Sequence, residues 1–466
     1  LRGNISLDSI VAIADGAFAG NKKLEGITLG AGLQSVGAYA FSGNTAMKKV
    51  TINAPIIKLG QYAFDGCTAL EEINVNAAVI PTAAFNECTS LEKITLGPDV
   101  AVISEYAFSN CAATTFVVDE QNPTFVASEG GRYLTNKAGD TILHVAPGIS
   151  GEFAVYDPKI TTIGAGAFSG NYRGITKVTI PGVTIVSNYA FAYCEKLESI
   201  TLGALTHIGD YAFYRTAITK VPSLNSVDRI GAYAFAYTDV TSLAVPEGMT
   251  IGEGAFRECK SLATVTIGNN VIIEKDAFRL DRETNFSENH GSYVGADGLK
   301  IYYYIYTSPL HKLTIGQNVI IGESAFMGAA ELEKVTLGAG AVIGDNAFFN
   351  TPRLKDIDLS KAKSIGAGAF SGDVLYEFRD INMSEINIDE NREYVYRYYA
   401  PALVAVDISS AESIGIGAFE FCRELTSVKL GENITEIPER CFNYCAKLNS
   451  IDLSGIKVIG DSAFCE

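Results

Sequence analysis

Histidine is scarce. The chain holds only His144, His207, His290 and His311, and none shares a short motif with a serine, cysteine or carboxylate. No Gly-x-Ser-x-Gly, His-Glu-x-x-His, Walker or dinucleotide loop occurs, so the sequence offers no catalytic, cofactor-binding or metal-binding set. Positive charge is also short. Lys+Arg number 36 against 53 Asp+Glu, a net charge of −17. A field of that sign repels phosphate backbones and anionic lipid, which argues against nucleic acid as a partner. No run of eighteen or more apolar residues occurs, the length a membrane-crossing helix needs. The opening "LRGNISLDSIVAIADGAF" lacks the basic start and apolar core of a signal peptide and enters the pattern partway. It reads as a mature or trimmed chain, its signal peptide presumed removed. The other end stops after "AFCE" without a polar closing unit, so the terminal turn is expected to be exposed or a further segment removed.

What the chain has in abundance is repetition. An Ala-Phe box recurs at Phe18, Phe41, Phe64, Phe85, Phe108, Phe168, Phe191, Phe213, Phe235, Phe256, Phe278, Phe326, Phe348, Phe370, Phe419, Phe442 and Phe464. Alanine precedes the phenylalanine in every box except Cys441-Phe442. Within each run the boxes lie 21 to 23 residues apart. After Phe85 come Cys88, Leu91, Ile94 and Leu96, then Val100, Ile103 and Ala107-Phe108. The Leu-x-x-Ile-x-Leu segment alternates as a short strand with one buried face. The Ile-x-x-x-Ala-Phe segment brings apolar groups together at spacings of four and five, which predicts one tight helical turn. Gly209, Gly231, Gly252, Gly322 and Gly344 each follow the isoleucine of their unit, where a sharp backbone turn is expected.

One such unit cannot bury its own apolar side chains. Copies stacked in parallel can, each strand pairing with the next and each phenylalanine meeting its neighbours. The expected fold is an α/β solenoid, with a parallel sheet on one face, short helical turns on the other and a β-hairpin insertion. Residues 1–466 read as a single solenoid. Near-identical turns offer a shallow groove rather than the deep pocket an enzyme wants.

The spacing Cys/Asn-x-x-Leu-x-x-Ile-x-Leu followed by Ile-Gly-x-x-Ala-Phe resembles the BspA-like, or Treponema pallidum-type, leucine-rich repeats. Ile103-Ala107-Phe108, Ile208-Gly209-Ala212-Phe213 and Ile321-Gly322-Ala325-Phe326 carry it. The resemblance implies a right-handed leucine-rich-repeat superhelix in an extracellular or cell-surface protein. It also implies adhesion or another protein-protein role, with a protein or glycan ligand and no cofactor. A monomer is the expected state. An intracellular or periplasmic scaffold is the competing reading, and carbohydrate recognition by tyrosine-rich insertions is a third.

Three gaps interrupt the boxes. Residues 109–160 read as an insertion bearing a hairpin that stands off the solenoid, with turns at Asn122-Pro123, Gly130-Gly131 and Ala138-Gly139-Asp140. The Asn-Pro-aromatic start resembles a known elaboration of the same family. The other two gaps, 279–314 and 371–408, span about two periods each and are expected to hold one degenerate turn or an insertion apiece. They concentrate tyrosine: Tyr302, Tyr303, Tyr304 and Tyr306 in one, Tyr394, Tyr396, Tyr398 and Tyr399 in the other. Tyr303 and Tyr396 are candidate binding residues, since tyrosine is enriched where proteins bind. Core or hairpin packing is the competing role.

On the strands, the residue between the last two aliphatics points outward, giving a column that includes Thr95, Thr179, Thr201, Thr266 and Thr336. A second column includes Lys93, Lys177 and Lys334. Threonine suits a pleated surface without any ligand, and the stripe is equally a candidate recognition face. Asp356 and Asp358 share one strand face but lack the oxygen-rich spacing of a calcium loop. Seven of the nine cysteines, from Cys67 to Cys445, stand three residues after a box phenylalanine. Their parallel placement and odd total predict free thiols at a tight turn, each able to donate weakly to a carbonyl.

Overall fold

The computed structural model describes residues 1–52, 56, 58–168, 171, 174–281, 291–294, 300–303, 308–372, 374–380 and 394–465. The chain divides into two compact units, Leu1–Ile218 and Thr219–Glu466. In each, a rung consists of a long strand, a turn, a two-residue strand and the box. In the first unit Gly3–Leu7, Leu24–Leu29, Lys49–Ile52, Glu72–Val75, Lys93–Leu96 and Thr115–Val118 form a six-stranded parallel sheet. A second parallel sheet, Gly151–Ala154, Ile175–Ile180 and Ser199–Leu202, follows the interruption. In the second unit Ser242–Val245, Thr264–Ile267, Lys312–Ile315, Lys334–Leu337 and Asp356–Ile357 pair in the same way. The two-residue strands, such as Ile272–Ile273, Ile320–Ile321 and Val342–Ile343, form narrower parallel ladders of their own.

The fold is a right-handed β-solenoid, and the helical face expected from the box spacing is absent. Among the described residues the one helix is a 3₁₀ turn at Glu129–Gly131. Two features of the backbone explain why the box does not become helix. Residues two before and two after a box phenylalanine take positive φ, as at Tyr62 (56°) and Gly66 (68°) around Phe64. Left-handed residues at that interval end any helical run. The box N–H groups, moreover, find partners in the next rung instead of four residues back. Tyr39, Phe41 and Gly43 donate to the carbonyls of Gln61, Ala63 and Asp65 at 3.1, 2.8 and 2.7 Å. Asp276, Phe278 and Leu280 repeat the pattern toward Glu323, Ala325 and Met327 at 2.9, 2.8 and 2.9 Å. Each box is a run of β-turns bonded along the stack.

The glycines after the isoleucines serve a different purpose from the one their position suggests. Gly322 and Gly344 do not take positive φ, but a Cβ on either would lie 2.6 Å from a carbonyl of the rung before. They permit close approach between rungs.

The box phenylalanines line the interior. Phe41, Phe64 and Phe85 are fully buried, and successive rings from Phe18 to Phe108 stack at 5.1 to 5.3 Å. In the second unit Phe278 stacks on Phe326 at 5.0 Å and Phe370 on Phe419 at 5.3 Å. Those rings are neighbours although the sequence between them spans two periods. The strand at 264–267 likewise pairs directly with that at 312–315. The rungs that flank each gap are thus adjacent in the stack.

The interruption after Phe108 behaves differently. Tyr133–Thr135 and Thr141–Val145 form an antiparallel hairpin, and the second strand also pairs in parallel with Thr162–Ile163. The Val145 N–H donates to Ala167 at 2.8 Å, the bond a box phenylalanine makes elsewhere. The hairpin is thus built into the stack instead of standing clear of it.

Candidate functional site

The long strands bury one face and present the other. Residues in register down the first unit's sheet are Asn74, Thr95 and Val117 in one outward column and Glu72, Lys93 and Thr115 in the next. Thr179 pairs in register with Thr201, and Lys177 with Ser199. In the second unit Thr266, Thr314 and Thr336 form one column, and Thr264, Lys312, Lys334 and Asp356 the other. Lys177, Thr201, Thr266, Lys334 and Thr336 are exposed, while Lys93, Thr95 and Thr179 are half-buried. The lysine column is not a bare cationic stripe. Lys177 pairs with Glu152 at 3.0 Å, Lys334 with Asp356 at 2.6 Å and Lys429 with Asp407 at 3.0 Å. Exposed pairs of this kind add little stability, but they leave the face polar and close to neutral.

A depression of about 300 Å³ interrupts this face in the first unit, lined by Asn74, Asn76, Thr95, Pro98, Val117 and Asp119 among others. It runs along four successive strands of the six-stranded sheet, from Lys49–Ile52 to Thr115–Val118, after which the chain turns away. The buried Asn122 amide fixes that turn, donating to the carbonyls of Gly97 and Val100 at 2.8 Å each. The Asp119 N–H donates to Leu96 at 2.9 Å, and its carboxylate accepts from the Gln121 N–H at 2.9 Å. Asn76 is committed to the rim, exchanging two 2.9 Å hydrogen bonds with Asp99.

The two tyrosine-rich insertions meet. Gly291–Val294, Lys300–Tyr303, Val374–Asp380 and Tyr394–Tyr398 form one four-stranded antiparallel sheet in that order. Lys300 opposes Asp380, and Tyr376 opposes Tyr396. The structure therefore brings the strands of the two insertions together. Tyr304, Tyr306 and His290 lie outside the described residues.

The BspA-type leucine-rich-repeat model matches residues 4–127, 161–284, 299–399 and 392–466, which is most of the chain. The chain belongs to that family. No curated protein matches it. Among solved structures it is similar to a leucine-rich repeat protein from Bacteroides ovatus, at 16% identity and a TM-score of 0.46, over 98% of this chain and 91% of that one. A leucine-rich repeat protein from Eubacterium ventriosum is 19% identical with a TM-score of 0.43, over 79% of this chain and 82% of its own. A leucine-rich cell surface protein from Faecalibacterium prausnitzii is 20% identical with a TM-score of 0.34, over 84% and 83%.

Within this BspA-type rung, one surface feature escaped the sequence reading. Tyrosine occupies the left-handed position two before the box phenylalanine at Tyr39, Tyr62, Tyr106, Tyr189, Tyr211 and Tyr233. That backbone costs a non-glycine residue roughly 1–2 kcal/mol, and glycine does stand there at Gly16, Gly166 and Gly254. Ring stacking offsets the strain. Tyr39 lies on Tyr62, and Tyr189 on Tyr211, both at 4.9 Å and within 3° of parallel. Tyr214 meets Tyr193 and Tyr211 edge-on at 5.3 and 5.4 Å, and the Arg215 guanidinium sits 5.7 Å from the Tyr214 ring centre. The signal was available as a recurring Tyr-Ala-Phe, but alternation along strands gave no reason to look there.

The BspA-type cysteine column is structural. Eight free cysteines are buried, and Cys465 is exposed. Thiols of Cys67, Cys88 and Cys111 donate to the carbonyls of Phe41, Phe64 and Phe85 in the preceding rung at 3.2, 3.3 and 3.0 Å. Burial pushes the Cys67 and Cys194 thiols up to about 12, so neither supplies a thiolate near neutrality. Among the described residues no three His, Cys, Asp or Glu side chains converge as a metal site, and no helix is long and apolar enough to cross a membrane.

Proposed function

We propose that this leucine-rich-repeat protein is a non-catalytic adhesion or interaction protein of the cell exterior that holds a protein partner against the outward columns of its long strands. The observation that supports this most is the unbroken register of Thr266, Thr314 and Thr336 beside Lys312, Lys334 and Asp356. Such columns form a flat, polar, extended face, which suits broad contact with a macromolecule better than capture of a small substrate. The net charge of −17 argues against nucleic acid.

The test is binding of the purified chain, as a monomer, to extracellular matrix proteins and to whole microbial cells. Thr266→Arg together with Thr336→Arg places two bulky cations on the face and is expected to weaken capture about tenfold or more, with unfolding unchanged. Equal capture by the double variant would remove the strand face as the site. A full-length gene product without an export signal would favour the intracellular scaffold. A second reading, carbohydrate recognition by the tyrosine-rich insertions, is supported by the joining of their strands into one sheet. There Tyr396→Ser is expected to abolish a glycan signal.

A further inference from the structure

From the lining of the depression along the first unit's six-stranded sheet, we infer that it is a subsite for a neutral saccharide, held by Asn74, Thr95 and Asp119 against Val117. The inference goes beyond the protein-binding reading and stands apart from it, although Thr95 and Asn74 also lie on an outward strand face.

The chemistry of the lining selects the ligand. Among the described residues no lysine, arginine or histidine borders the depression, so phosphate, sulfated or sialylated ligands would meet a carboxylate with no compensating cation. Asp119 supplies the sole charge among the described lining residues, too few oxygen ligands for calcium, which takes six to eight. The remaining groups suit a polyol. The Asn74 amide and the Thr95 hydroxyl both donate and accept, and the Asp119 carboxylate accepts only. Sugar hydroxyls, which also do both, can satisfy all three. Neither the Asn74 side chain nor the Thr95 hydroxyl makes a hydrogen bond among the described residues. Val117, in register with Thr95 and 39% exposed, gives an apolar patch for the C–H face of a ring. At about 300 Å³ the depression falls at the small end of ligand sites, room for one or two sugar units.

The lining runs along successive strands, from Ile52 through Asn74 and Thr95 to Val117 and Asp119. The chain turns at Asp119, and the Asn122 amide fixes that turn by its bonds to Gly97 and Val100.

A panel of neutral and acidic oligosaccharides, titrated calorimetrically into the full chain, tests this. At least one neutral saccharide should bind, and Thr95→Val and Asn74→Leu should each weaken it about tenfold, the worth of one hydrogen bond to a ligand. Thr95→Ser, which keeps the hydroxyl, should bind within about threefold of the parent. Denaturant unfolding of each variant separates lost binding from lost fold. The inference is overturned if only acidic sugars bind, if none binds, or if Thr95→Val binds as the parent does. It is also overturned if Tyr396→Ser removes the signal while Thr95→Val does not. Failure of the Thr266→Arg and Thr336→Arg test would count against the protein-binding reading alone, because those residues lie in the other unit.

Discussion

The interruption after Phe108 and the two after Phe278 and Phe370 began as similar breaks in one pattern, yet the chain treats them in opposite ways. The first returns a strand to the ladder. Thr141–Val145 pairs in parallel with the next rung, and Leu134, Ile142 and Phe153 are buried beneath it. Across the other two, Phe278 meets Phe326 and Phe370 meets Phe419 as though nothing intervened. Strands of these two segments pair with each other at Lys300 and Asp380. An insertion that serves as a rung is constrained by the core.

Several experiments would break or sharpen this contrast. The largest effect is all-or-none: Lys300→Cys with Asp380→Cys, in a Cys465→Ser background, should form an internal disulfide under mild oxidant. Opposed antiparallel residues place their Cβ atoms about 4.5–5.5 Å apart. Mass spectrometry of the digest would show the linked peptides, and their absence would separate the two insertions. Next, Phe153→Ala should destabilise the first unit by about 3–5 kcal/mol in urea, since the ring is fully buried and meets Phe168 edge-on at 5.4 Å. A change under about 1 kcal/mol would mean the hairpin-bearing insertion is not a true rung.

The pH dependence should also fall on that insertion. Burial pushes the His144 imidazole down from 6.5 to about 4, so the folded state keeps it neutral. Once the pH drops below about 6.5 the unfolded chain takes up a proton that the folded one refuses. The stability is therefore fully present above 6.5 and lost as the pH falls toward 4, by up to about 3 kcal/mol. His144→Gln should flatten this part of the profile between pH 7 and 4.5, and an unchanged difference between parent and variant would exclude His144 as its source. The smallest effect belongs to the strand surface. Lys334→Met breaks the exposed pair with Asp356 and should move stability by less than about 1 kcal/mol.

Much of this was legible in the residues. The box phenylalanines and the Leu-x-x-Ile-x-Leu alternation mark which side chains can be buried only by stacking, and alternation alone places Thr95, Thr266 and Lys334 outward. The helical turn was misread because a spacing of four and five is shared by helix and by successive turns. The choice between them lies with N–H groups that reach the next rung, and no single unit contains that partner.

The same physical limit divides what this sequence settles alone from what needed three dimensions. Periodicity is local and determines the rung: its strand, its buried ring, its cysteine near a carbonyl. Contacts between residues far apart in the chain carry no periodic trace. Only the tertiary structure could therefore decide that Lys300 meets Asp380, that Val145 stands in for a box phenylalanine, and that Asn74, Thr95 and Asp119 surround one hollow.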